Sequence, residues 1–165
     1  MAGGSPANST AAQLQQLGVD ALAQEAEATF AGHAIGNVVN GTDGWTLPYV
    51  ATSDLDMTWK FGARTGELAI SKFDSYNFQG GLTFSGPMCA PGLSCAPGSH
   101  VPAGNHFGGQ LTGQLPNYQG PLSGSAVGSF VNGPGKPEAG VLGNWGVGNE
   151  RYLASGIFAG AKQLP

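Results

Sequence analysis

The chain has 165 residues and a net charge of −4 at pH 7, with only 10% charged residues and 29 glycines. This length fits one domain with a real core. The six Lys and Arg residues give no basic surface for nucleic acid or for an anionic membrane. Low charge with abundant small residues is typical of secreted or surface β-proteins rather than cytosolic enzymes. No apolar run is long enough to span a bilayer as a helix.

Residues 1–28 are predicted to form a flexible start followed by an amphipathic helix over residues 11–28. Leu14, Leu17 and Leu22 fall at helical spacing and form a narrow apolar stripe that needs a surface to dock on. Two interpretations stay open: a linker helix that leads into the next domain, or an association helix that contacts a partner chain. The start lacks the features of a signal peptide, so we expect an excised piece of a longer precursor, and the alternative is export by a route that the sequence does not show.

From residue 29 to residue 165 the pattern changes to alternation between apolar and polar side chains, which predicts β-strands. The clearest strand runs from Tyr49 to Phe61. Eight strands are predicted, over residues 29–39, 49–61, 67–73, 76–85, 106–115, 122–131, 139–147 and 152–160. Because most connections are short, we expect an all-β fold: an eight-stranded antiparallel up-and-down β-barrel with an N-terminal helix. Interior Gly and Ala opposite large aromatic residues predict a filled core rather than a channel.

A long loop over residues 86–105 interrupts the strand pattern and contains both cysteines. Cys89 and Cys95 are close enough for a disulfide, which would indicate an oxidising compartment. Five residues separate the two cysteines, too many for the usual zinc knuckle, so no metal site is predicted. His100 and His106 are expected to be solvated, with a haem or metal contact left as the alternative.

No catalytic constellation can be assembled from the sequence, because it has no nucleophile elbow and no nucleophile, base and orienting group in a recognisable order. We therefore expect a protein that is not an enzyme. Trp45, in the loop before the second strand, is expected to be exposed and is a candidate partner contact. Arg64 is a second candidate contact, and the alternative is a turn residue that binds loop carbonyls.

Several segments resemble one known family. Gly128, Ser129 and Phe130, followed by residues 138–140 and 152–160, resemble the closing strands of the transferrin-binding-protein-B-like β-barrel. The run Trp59, Lys60, Phe61, Gly62, Ala63, Arg64, Thr65 and Gly66 is similar to one that recurs upstream of such barrels. This module occurs in Gram-negative surface lipoproteins and in secreted binders of haem or host factors. The resemblance covers roughly residues 30–162 and implies an extracellular or outer-surface location.

The leading hypothesis is a non-enzymatic structural or binding module of a bacterial secreted or outer-surface protein, with self-association or adhesion as its sharper form. Its partner would be another protein or a second copy, and it would need no cofactor. The alternative is a secreted carrier of haem, iron or another small ligand that uses residues 86–106. Nucleic acid is not an expected partner under either hypothesis.

Overall fold

The computed structural model describes residue 13 and residues 27–41, 47–61, 63–84, 106–114, 120–134 and 136–164. These residues form eight β-strands. In chain order they are β1 (Glu27–Asn40), β2 (Tyr49–Lys60), β3 (Thr65–Phe73), β4 (Tyr76–Phe84), β5 (His106–Gln114), β6 (Pro121–Gly133), β7 (Lys136–Gly148) and β8 (Tyr152–Lys162).

The first strand closes the barrel because it pairs with both its sequence neighbour and the last strand. Every strand pairs antiparallel with the next, and the seam between β1 and β8 runs from Phe30 opposite Lys162 to Asn40 opposite Tyr152. Closure leaves no unpaired edge in the described sheet. The predicted eight-stranded antiparallel up-and-down barrel is therefore confirmed.

The two ends of the barrel carry different connections. We call the end at which the chain enters β1 the lower rim. There β2 turns into β3, β4 ends and β5 begins, and β8 ends the barrel. At the upper rim β3 turns into β4 through Asp74 and Ser75, and β7 turns into β8. Asp74 and Ser75 have φ angles of 49° and 68°, so both lie in the left-handed region. Asp tolerates this conformation better than most residues, which suits it to a tight turn.

Alternate side chains of each strand point inward and fill the barrel. Trp59 and Phe130 have ring centroids 5.2 Å apart in an edge-on arrangement, and Phe73 packs against Trp145 at 4.7 Å. Such contacts add to the free energy already gained by burying these rings. Both of these tryptophans are almost completely buried. The inside is thus a packed core, as the glycine and aromatic pattern indicated.

The predicted N-terminal helix lies outside the described residues, apart from Gln13 and its last two positions. Those last two positions correct the prediction: Glu27 and Ala28 begin β1 and do not end a helix. Ala28 is buried in the core and Phe30 follows it on the same inner face, so strand alternation starts before residue 29. The rest of the helix stays a prediction. No helix among the described ranges is long and apolar enough to cross a membrane.

Candidate interaction surface

One side of the barrel presents aliphatic side chains to solvent. Between 41% and 59% of the surface of each of these residues is exposed, whereas their neighbours along each strand point into the core. We call this surface the aliphatic wall. Its members are Ile35 on β1, Val127 on β6, Leu142 on β7, and Leu153 and Ile157 on β8.

Strand pairing brings these residues into one continuous surface. Val127 lies opposite Asn144, Asn144 lies opposite Ile157, and Ile157 lies opposite Ile35. This row crosses four adjacent strands and spans about 14 Å at about 4.8 Å per strand. Leu142 lies on the adjacent row, opposite Ala159. Directly opposed side chains on one face are in contact range, so Ile157 and Ile35 form an apolar pair, and the polar Asn144 separates this pair from Val127.

The aliphatic wall is also uncharged over its described part. The other outer-face residues near its members on β6, β7 and β8 are Ser, Asn, Gly and Ala, namely Ser123, Ser125, Asn144, Gly146, Ser155, Ala159 and Ala161. On β1, His33 and Asn37 lie on either side of Ile35 on the same outer face. A partner that covers this surface would therefore remove no charged side chain from water, and a desolvated charge is the largest cost in forming an interface.

The opposite side of the barrel is more polar, although Val50 on β2 is also exposed there. We call the outer face of β2, β3 and β4 the polar wall. It carries five charged side chains: Asp54, Asp56, Lys60, Glu67 and Lys72. A groove of about 340 Å³ runs along it, lined in part by Asp56, Glu67 and Gly81. In the described part of the chain, no three His, Cys, Asp or Glu residues are grouped closely enough to hold a metal ion.

The ion pair on the polar wall sets the charge state of one carboxylate. Lys72 Nζ donates a hydrogen bond to Asp54 Oδ2 at 2.7 Å. This hydrogen bond and the ammonium charge hold the pKa of Asp54 below its ordinary value. The register of β3 and β4 shifts between Ile70 and Phe73, and Lys72 within this shift has a φ of 60°. Lys72 lies within this irregularity, one residue after Ser71, which is the strand partner of Asp54.

A second polar cluster lies at the upper rim. Asp74 Oδ2 accepts hydrogen bonds from the hydroxyl groups of Tyr49 at 2.7 Å and Tyr152 at 3.1 Å. Tyr76 packs edge-on against Tyr152, with centroids 5.0 Å apart. Burial, together with the nearby Asp74 carboxylate, raises the pKa of both Tyr152 and Tyr49. The cluster ties β2, the β3–β4 turn and β8 together, which indicates a structural role at this rim.

Two polar contacts lie toward the lower rim. Lys162 Nζ donates a hydrogen bond to Glu138 Oε1, and both side chains are largely buried. His106 Nδ1 lies 2.6 Å from Ser129 Oγ, in hydrogen-bond contact across β5 and β6. The Glu138–Lys162 pair places two opposite charges beside the core. Removing either one would leave the other charge partly buried without a partner, which destabilises the folded protein.

Only two of the residues singled out from sequence fall within the described structure. Arg64 lies in the β2–β3 turn, where its φ is 58° and its backbone N–H donates to the carbonyl of Lys60 at 2.7 Å. This geometry gives Arg64 a role in the turn, and partner contact stays a prediction. His106 begins β5 and does not lie in the loop. The others lie outside the described residues and are Leu14, Leu17, Leu22, Trp45, Cys89, Cys95 and His100.

The sequence reasoning missed both the aliphatic wall and the tyrosine cluster. The wall had a visible signal, because Leu153 and Ile157 alternate with inward-facing aromatic residues and make β8 apolar on both faces. A strand that is apolar on both faces normally indicates burial on both sides. The tyrosine cluster had no such signal, since Tyr152 and Asp74 are 78 positions apart.

Comparison with known proteins gives structural parallels for the fold. No protein-family model matches the chain, and no curated protein sequence matches it. A variant of transferrin binding protein B from Haemophilus parasuis superposes with a TM-score of 0.57 at 14% identity, over 85% of this chain and 27% of that chain. The isotype 1 transferrin binding protein B from serogroup B Neisseria meningitidis gives 0.60 at 15% identity, over 98% of this chain and 28% of that chain.

A third solved structure extends the parallel beyond the transferrin binding proteins. A surface lipoprotein gives a TM-score of 0.54 at 11% identity, over 84% of this chain and 62% of that chain. This chain therefore spans just over a quarter of the length of the two transferrin binding proteins. At these identities the likeness concerns the fold. The chain has the fold of a transferrin-binding-protein-B-like β-barrel, as the resemblance in its closing strands implied.

Proposed function

We propose that this barrel is a non-enzymatic protein-binding module of a bacterial secreted or outer-surface protein, and that it self-associates or adheres through the aliphatic wall. The observation that carries the proposal is the group of exposed aliphatic side chains on the outer faces of β6, β7, β8 and β1, with no Asp, Glu, Lys or Arg described between them. Connected apolar patches on soluble proteins mark interaction sites.

The energetics favour a weak, reversible contact. Five half-exposed aliphatic side chains supply apolar area worth roughly 25 cal/mol per Å² when it is covered. Association must also offset lost translational and rotational freedom, so a patch of this size supports a transient interface rather than a permanent one. A second copy of the chain fits this role, because its own wall is equally uncharged and aliphatic.

The structural parallels support the location and the type of partner. The proteins that share the fold are named as transferrin binding proteins and as a surface lipoprotein. We infer for this chain a place at the outer surface of a Gram-negative bacterium, or outside it, and a protein as its partner. The packed core favours binding on the outside of the barrel over binding in a lumen.

The test is a concentration series of the full chain in sedimentation velocity. Ile157→Lys places a charge at the centre of the wall and is expected to weaken self-association at least tenfold. Gln79→Lys is the matched control, since it adds the same charge at an exposed position on the polar wall. Equal effects of the two variants, or no effect of either, would remove the aliphatic wall as the binding surface.

A carrier of haem or iron is the second candidate, and one contact favours it. His106 has its Nδ1 atom in hydrogen-bond contact with Ser129 Oγ, and histidines that bind metals are usually oriented by such a contact on the other ring nitrogen. Titration with haem should then produce a Soret band that His106→Ala removes and His33→Ala retains. A titration that leaves the haem spectrum unchanged would end this candidate.

A further inference from the structure

The inner face of the seam between β1 and β8 carries few contacts between side chains. Two of its inward-facing pairs have glycine on both strands, Gly32 opposite Gly160 and Gly36 opposite Gly156. A Cβ atom on Gly32 would lie 2.0 Å from the carbonyl oxygen of Ala159, so the strands approach too closely there for a side chain. Because side-chain pairs across strands stabilise a sheet, the seam gains little at these positions.

The outer face of the same seam carries aliphatic pairs. Ile35 lies opposite Ile157, and Val39 lies opposite Leu153. Val50 on β2 pairs with β1 between these two rows. Val50, Leu153 and Ile157 are between 57% and 61% exposed. We call this surface the seam patch, and three of its five members also belong to the aliphatic wall. Its members are Ile35, Val39, Val50, Leu153 and Ile157.

The seam patch is apolar at its corners and charged only at its border. It spans about 13 Å along the strands, at about 3.3 Å per residue, and about 10 Å across three strands. Asn37 and Ser155 lie opposite each other inside it, and both are uncharged. Among the described residues, Arg151 precedes it at the start of β8 and Asp54 follows it on β2. An apolar centre with a polar rim is the usual arrangement of a protein interface.

A second copy of the seam patch fits this surface better than the polar wall does. Covering the polar wall would remove the carboxylates of Asp56 and Glu67 from water, whereas a second seam patch brings no charged side chain into the contact. A contact between identical surfaces is complete with two copies, while a contact between two different surfaces continues into a ring or a filament. The chemistry of the two walls therefore favours a dimer over a filament.

We propose that two copies of this chain pack seam patch against seam patch as a reversible dimer, and that this contact holds the seam of each barrel closed. The inference rests on the proposed function, because it narrows the surface for self-association to β8, β1 and β2. Val127 and Leu142, the wall members on β6 and β7, lie outside the contact. Its footprint is smaller than that of a stable interface, so the dimer dissociates readily.

Dimer contact and seam closure are linked because the seam patch is complete only when β8 pairs with β1. Opening the seam separates Ile35 from Ile157 and removes the surface that the second copy binds. A partner that binds only the closed form lowers the open fraction by a factor of one plus the ratio of its free concentration to the dissociation constant. At a free concentration ten times the dissociation constant, the open fraction falls about tenfold.

The first experiment locates the contact by sedimentation velocity of the full chain. Val50→Lys changes a residue of the seam patch outside the aliphatic wall, and we expect it to weaken self-association about tenfold. Val127→Lys is the matched control, because it makes the same change at similar exposure on the aliphatic wall outside the seam patch. The control should change the dissociation constant less than about twofold. An equal or larger effect of Val127→Lys would overturn the seam contact.

The variant Ile157→Lys separates the failure of this inference from the failure of the proposed function. If Ile157→Lys weakens self-association but Val50→Lys does not, the proposed function stands and the seam contact is wrong. If neither variant weakens self-association, both the seam contact and the aliphatic wall are removed as binding surfaces.

The second experiment measures opening of the seam by amide hydrogen exchange in NMR spectra. Amide hydrogens bonded between β1 and β8 should exchange about tenfold more slowly at ten times the dissociation constant than in a dilute sample. Those bonded between β3 and β4, away from the seam, should exchange at the same rate in both samples. No slowing at the seam, or equal slowing in both pairs of strands, would overturn the role of the dimer in closure.

Discussion

The indole ring of Trp59 lies directly over Gly66, its partner on the neighbouring strand. A Cβ atom on residue 66 would be 2.5 Å from Cε3 of Trp59 and 2.4 Å from the carbonyl oxygen of Thr58. The absence of a side chain on Gly66 therefore leaves room for one of the two core tryptophans against the sheet. Glycine paired with an aromatic residue across two strands is a known device for curved sheets.

Gly66→Ala is therefore expected to lower the free energy of unfolding by about 2 kcal/mol, the usual cost of overpacking a core. Urea unfolding followed by tryptophan fluorescence measures the change. Gly81→Ala is the control, because a Cβ there would meet nothing within 4 Å. Equal losses of stability in the two variants would show that the contact with Trp59 is not the cause.

The tyrosine cluster predicts a loss of stability at alkaline pH. The folded protein holds the Tyr152 and Tyr49 hydroxyls neutral, so their pKa values lie above the ordinary 10.0. When the pKa of a group is higher in the folded protein than in the unfolded chain, the stabilisation it gives is fully present at pH values below the unfolded pKa. It is lost progressively as pH rises above the unfolded pKa. Denaturant unfolding at pH 7, 9 and 11 should show stability falling above pH 10.

Tyr152→Phe isolates this effect. It removes one titrating hydroxyl and one hydrogen bond to Asp74, so we expect a loss of about 1 kcal/mol at pH 7 and a flatter decline above pH 10. A variant that declines as steeply as the unaltered protein would show that Tyr152 does not cause the alkaline transition.

The ion pair of the polar wall predicts a measurable pKa change. Lys72→Gln removes the hydrogen bond and the charge that lower the pKa of Asp54, so this pKa should rise toward its ordinary 3.8. Carbon-detected NMR titration of the Asp54 carboxyl measures it, and Lys60→Gln serves as the control on the same wall. A carboxyl whose pKa is lowered in the folded protein adds stability only at pH values above that pKa. Any difference in stability between Lys72→Gln and the unaltered protein should therefore disappear at acid pH. That change is small because the pair is exposed.

The lower rim predicts a larger effect on stability. Lys162→Met leaves the buried carboxylate of Glu138 without its cation, which should destabilise the protein by about 2 kcal/mol, less than for a fully buried pair. Glu138→Gln combined with Lys162→Met should recover part of this loss, as thermal unfolding can show. A double variant less stable than the single one would mean that the carboxylate has another role at this rim.

The strands were predictable because their signal is local. In β2, Leu55, Met57 and Trp59 alternate with polar residues, and the structure buries all three. Turn residues between such runs fix the direction of the chain, and eight antiparallel strands with short connections have few ways to close. At the start of β1 the local alternation of apolar and polar residues was ambiguous, because Glu27 and Ala28 also fit the end of an amphipathic helix.

The surfaces were not predictable, because they depend on register between distant strands. Ile35 and Ile157 become neighbours only when β8 pairs with β1, and a shift of one residue would place Ile157 inside the barrel. Asp74 likewise meets Tyr152 only after closure. Sequence periodicity gives the two faces of each strand, but it does not give which strands of a barrel combine their outer faces into one patch.

The seam between β1 and β8 also constrains when this protein can fold. Phe30 pairs with Met57 on β2 early in the chain, but its partner on the other side is Lys162, so the barrel cannot close until the last strand has been made. Contacts this distant in sequence slow folding, because the cost of closing a long loop comes before the gain from the contacts. A chain that still lacks β8 therefore leaves one edge of β1 unpaired, and such an edge can pair with other strands until closure covers it.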